Sequence, residues 1–136
     1  MKSFGYVRDP LCLLTMALYA LNRWALKPQL TGGGFMHDHF NDLLLIPAAL
    51  PLILWVQRKL GWRDHDQAPR WSEIGLHLAI WGVICEIAGP SIAAHATGDW
   101  RDLVAYTVGA AVAGLWWQRR SLPRRARVPS ELKADS

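Results

Sequence analysis

Two short polar stretches hold the side chains that could do chemistry. The first is His37-Asp38-His39-Phe40-Asn41-Asp42, and the second runs from Asp99 to Asp102, with Glu86 upstream of it. Imidazole nitrogens suit zinc-like ions, whereas carboxylates suit magnesium or manganese. His37, His39 and Asp42 therefore form a candidate metal set. Glu86, Asp99, Asp102 and Asp42 form a candidate catalytic set, because carboxylates drawn together in a low dielectric repel unless a cation or a shared proton sits among them. Helix capping competes with both readings: aspartate accepts from free amides at a helix start and suits the positive end of the dipole. Capping accounts for one acid at each helix start, but not for the added histidines or for Glu86.

The elements that must position these groups are apolar blocks. The chain has 136 residues, 51% of them hydrophobic, and a formal net charge of +4. That length suits one domain. The apolar residues fall into four blocks separated by loops that hold nearly all the charge, and this predicts helices at about 10–26, 40–58, 71–89 and 102–118. Leu43 to Val56 and Leu103 to Trp117 carry no charge and no polar face for water. The expected fold is therefore an all-α bundle of four transmembrane helices, residues 1–118, followed by a basic, disordered cytoplasmic tail, residues 119–136. The uncharged runs are shorter than the usual spanning length. The first block is the shortest, and it spans only if Arg23 and Lys27 snorkel. Pro47 and Pro51 fall inside the second block and predict a kink.

Lysine and arginine cluster in the N-terminal arm, in the loop holding Arg58, Lys59, Arg63 and Arg70, and in the tail. The positive-inside bias then puts both termini in the cytoplasm. It puts His37 to Asp42 and Asp99 to Asp102 together on the opposite face of a cell membrane. Trp62 and Trp71 flank the middle loop as interfacial anchors. The basic residues gather at block ends, not on a stripe with stacking aromatics, so a nucleic-acid partner is not expected. The expected partners are the bilayer, anionic headgroups for the tail, and a second copy through Gly109, Ala113 and Gly114, whose spacing lets helix backbones approach closely. Cys12 and Cys85 lie inside apolar blocks and read as small core residues. Gly32 to Gly34 make a loop, and with no lysine at the required spacing it is not a phosphate loop.

Glu86, Asp102, Tyr106, Gly109 and Gly114 together resemble the C-terminal half of VanZ-like membrane proteins, and Asn41 to Pro47 is similar to that family's earlier Asn and Pro segment. The pattern departs from the family at Tyr106, where an asparagine is usual, and in lacking a glutamine one turn after Glu86. The resemblance implies a cell-envelope role and brings no particular reaction. Three functions follow as expectations: a site acting on or binding envelope or lipid headgroup ligands, a small proton- or cation-linked transporter using Glu86 and His77 as a relay, or a structural membrane protein whose acids only cap helices.

Overall fold

The computed structural model describes residues 3–88, 91 and 99–122. Among them the chain is all-helical. Helix α1 is Pro10–Leu21, α2 is the single turn Phe35–Asp38, α3 is Phe40–Lys59, α4 is Trp71–Val83 and α5 is Trp100–Ser121. Wider π-helical turns extend α1 through Asn22–Leu26 and α4 through Ile84–Ala88. Four of these helices exceed one turn, and each predicted block contains one. The expected tail start is corrected by the structure: Arg119, Arg120 and Ser121 belong to α5. The expected helix end at Gly89, the His95 to Gly98 part of the third loop and the tail from 123 onward lie outside the described residues.

The starts and stops follow local chemistry. Asp9 caps α1 by accepting from the Leu11 and Cys12 amides, and Pro10 stands at the first helical position, where its missing N–H leaves no bond unmade. Gly32, Gly33 and Gly34 all have positive φ, so the turn before α2 needs glycine.

Helix α3 is the central element and packs most extensively against α5 and α1, while α4 leans on α5. The core runs through Ile46, Leu50 and Leu54 of α3, Ile74 of α4, and Ala110, Ala113 and Trp117 of α5, closed off by Phe4 and Tyr6. Helix α3 runs unbroken through Pro47 and Pro51. Pro47 has no N–H for the Leu43 carbonyl one turn back, and against that carbonyl the backbone of Gly109 lies so closely that a Cβ there would overlap it. A second close fit seats the Trp71 ring of α4 on Gly114. Gly109, Ala113 and Gly114 are buried within the chain. The small residues expected to serve a second copy thus serve contacts inside one copy.

The four long helices do not all meet the criteria for a span. Among the described residues one helical stretch, Phe35–Lys59, is long and apolar enough to cross a membrane. Helices α1 and α4 have 12 and 13 residues, which at ~1.5 Å per residue fall short of the hydrocarbon thickness without their π-helical extensions. Charged ends lower the mean apolarity of α5. The outer surface is nonetheless strongly apolar: Leu13, Leu14, Leu76, Ile80, Val104, Val108 and Val112 are all exposed.

Candidate functional site at one end of the bundle

The up-and-down order brings the end of α1, the start of α3, the end of the α4 extension and the start of α5 to one end of the molecule. Three polar side chains from two of the longer helices meet there. The His39 Nδ1 lies 2.7 Å from Asp102 Oδ1, joining residues 63 apart in sequence. One ligand atom from each of His39, Asp42 and Asp102 falls within 4.8 Å of the others. An ionised carboxylate can only accept, so the His39 Nδ1 carries the shared proton and Nε2 is the free nitrogen. All three side chains are partly buried, and among the described residues His39 is the only basic side chain paired with either carboxylate.

The remaining predicted residues divide. Glu86 is partly exposed, and the acids that act on it most strongly are Asp102 and Asp99. It therefore stands at the rim of the same end. Asp99 is a helix cap: its carboxylate accepts from the Arg101 amide, and its own carbonyl accepts from the Asp102 amide. His37 does not join His39 and Asp42. It pairs instead with the neighbouring Asp38, at 2.5 Å from Nδ1 to Oδ1, and Asp38 in turn accepts from the Gly34 amide. The metal set expected as His37, His39 and Asp42 is thus replaced geometrically by His39, Asp42 and Asp102. A strict HxH reading failed because His39 ends the α2 turn with φ −124°, which turns the two imidazoles to different partners.

Beneath the three groups Tyr106 is buried, and its hydroxyl stands beside Asp42 and Cys85. Asp102, Tyr106, Gly109 and Ala113 form one stripe of α5 at helical spacing, and its close approach to α3 at Gly109 holds the Asp42 and Asp102 carboxylates together. Next to this stripe, Asn22 donates to the Asn41 side chain and to the Met36 carbonyl, tying α1 to the start of α3. Sequence reasoning overlooked Asn22, although an asparagine ending an apolar block was a usable signal. Compared with protein-family models, with curated proteins and with solved structures, this chain matches none.

The opposite end carries a second polar cluster that sequence reasoning did not find. Arg63 is 4% exposed, and its five N–H donors are all used. Nε and Nη2 donate to Glu73, Nη1 to the Tyr6 hydroxyl and the His65 carbonyl, and Nη2 also to the Gln67 carbonyl. Asp66 accepts from Arg58 and from the Tyr6 hydroxyl. The Arg58 guanidinium, and after it the Tyr6 hydroxyl, hold the Asp66 carboxyl below its ordinary value. Burial raises that of Tyr6, and the Asp66 bond adds to the rise. Asp9 also accepts from the Trp117 indole N–H, which joins the cap of α1 to the end of α5.

Proposed function

We propose that this chain is a multi-pass membrane protein of the cell envelope whose His39, Asp42 and Asp102 bind, or act on, a headgroup-level ligand on the non-cytoplasmic face. The observation that carries the reading is the convergence of these three side chains from the starts of α3 and α5. Among the described residues neither Asp42 nor Asp102 accepts from a backbone amide at its helix start, so capping accounts for Asp9 and Asp99 but not for this pair. Two carboxylates so close need a cation or a shared proton between them. A divalent cation held by both, with the free His39 Nε2 as a third donor or as a base toward the ligand, meets that need.

The membrane reading draws support from the apolar outer surface and from exposed tryptophans at both ends. Trp24 and Trp100 are 74% and 70% exposed near the site end, and Trp62 is 78% exposed near the other. Trp100 and Trp116 lie sixteen residues apart on α5, roughly 24 Å by helical rise, most of the ~30 Å thickness of a hydrocarbon core. The VanZ-like pattern belongs to the same proposal: Glu86, Asp102 and Tyr106 gather at the site end, while Gly109 and Gly114 seat the neighbouring helices. The relay through His77 is less favoured, because the His77 Nδ1 donates to the Glu73 carbonyl and Glu86 lies about 13 Å further along the helix.

Two experiments test the reading. Cysteines at Ser3 and Asp66 should label from the cytoplasmic side and one at Gly33 from the other; labelling of Asp66 and Gly33 from the same side defeats the topology. Manganese or zinc should raise the melting temperature of the purified protein and leave the Asp42→Asn/Asp102→Asn variant unmoved, and an equal shift in both proteins removes the cation from the account.

A further inference from the structure

Arginines gather at the end of the bundle opposite the candidate site, and four of them, Arg63, Arg58, Arg8 and Arg120, are used in two ways. Every guanidinium donor of Arg63 is engaged, with Glu73, Tyr6 and backbone carbonyls, and Arg58 donates to Asp66 and to the Arg63 carbonyl. Arg8 and Arg120 have no carboxylate or carbonyl partner for their guanidinium groups among the described residues. Both line one pocket of about 210 Å³, together with Ser3, Gly5 and Ala68. A pocket of that size admits a phosphate group.

The walls of this pocket are fixed. Tyr6 holds a positive φ of 49°, an unfavourable conformation for a residue with a side chain. It is kept there by its hydroxyl bonds to Asp66 and Arg63, by the Phe4 amide donating to the Asp66 carbonyl, and by the Phe4 ring standing edge-on to Trp117. The Gly5 carbonyl accepts from the Arg8 amide and closes the turn that carries Arg8 to the pocket. On the other wall the Arg120 guanidinium stacks over the Trp116 ring at 5.3 Å. Stacking uses the face of the guanidinium and leaves its N–H edge free for the bidentate contact that a phosphate accepts. The Asp9 carboxylate at the floor is 6% exposed and already accepts three N–H bonds, from Leu11, Cys12 and Trp117. It is occupied within the fold and partly screened from the pocket.

We infer that the pocket between the N-terminal arm and the end of α5 binds an anionic phosphate group through Arg8 and Arg120, supplied by a phospholipid headgroup or by free phosphate. This site is separate from the His39, Asp42 and Asp102 cluster, and its test does not depend on that cluster. The full chain in nonionic detergent is titrated with phosphatidylglycerol, with phosphatidylcholine as a zwitterionic control and with inorganic phosphate, while its melting temperature is followed. Phosphatidylglycerol should stabilise the protein where phosphatidylcholine does not, and in Arg8→Gln/Arg120→Gln its apparent affinity should fall at least about tenfold, as for lost hydrogen bonds to charged groups. Ser3→Glu, which puts a negative charge in the pocket and leaves both arginines in place, should weaken it likewise. A shift of equal size with inorganic phosphate supports the site with free phosphate as its ligand. The tail variant Arg124→Gln/Arg125→Gln/Arg127→Gln should keep the response. Loss of the response in the tail variant with its retention in both pocket variants overturns the inference, as does equal stabilisation by phosphatidylcholine.

Discussion

At the end where α3 finishes and α4 begins, Arg63 and Arg58 meet Glu73 and Asp66 with every guanidinium donor of Arg63 satisfied, whereas at the other end Asp42 and Asp102 approach each other with His39 as the one basic side chain paired with them among the described residues. The difference separates charge that is matched within the fold from charge that is not. A buried guanidinium with all its donors matched ties the N-terminal arm, the middle loop and α4 into one unit, and removing it strands a carboxylate and a hydroxyl. Two ionised carboxylates side by side repel unless a cation or a shared proton joins them, so on the proposed reading removing one relieves the fold. Groups that lower stability where they stand are characteristic of functional sites.

The largest effect should come from breaking the geometry that creates the acid pair. Gly109→Leu drives a side chain into the Leu43 carbonyl, and backbone cannot step aside as a side-chain tip can. A loss above about 3 kcal/mol, beyond ordinary overpacking, is expected in denaturant titrations, together with loss of any cation response. Gly114→Leu meets only the half-exposed Trp71 ring, which can swing outward, so it should cost less. Equal losses would show that the two contacts are alike.

Arg63→Gln comes next. It breaks a buried pair and should lower stability by about 3 kcal/mol; a double-mutant cycle with Glu73→Gln should return a coupling well above that of an exposed pair. Near-additivity would place Arg63 among ordinary surface cations.

The smallest effect is a pH dependence at the same end. The Asp66 carboxyl is held below its unfolded value of about 3.9 by Arg58 and Tyr6. Its contribution is therefore complete above that value and is lost as the pH falls through the lower, folded one. Asp66→Asn should flatten the acid limb of the stability profile below about pH 4 and leave the neutral region nearly unchanged. An unaltered acid limb would mean that the clasp works without this carboxylate.

How far the sequence announced these two ends differs for physical reasons. The site end was legible because its acids and imidazoles sit at helix starts, where patterning fixes position to within a turn, and because α3 and α4 together return the chain so that both starts fall at one end. The clasp was not, since Tyr6, Arg63 and Glu73 come from an arm, a loop and a helix with no shared periodicity, and their pairing spans up to 57 residues. Asp9, an aspartate before Pro10, carries its cap signal directly, but nothing in the sequence announces that the same carboxylate also accepts from the Trp117 indole. His37 misled because sequence spacing does not record the backbone turn at His39. The small residues of α5 were read correctly as packing positions, but whether they meet another helix of the same chain or of a second copy depends on distances that spacing alone does not contain.

The comparison is tested most directly by the sign of one stability change. Asp42→Asn, measured beside Arg63→Gln in the same detergent and without added metal, should melt at the same temperature as the parent or above it, a gain of up to about 1 kcal/mol, while losing the stabilisation by manganese or zinc. A fall in melting temperature comparable to that of Arg63→Gln, with the metal response intact, would mean that Asp42 supports the fold and that the acid pair is not a site.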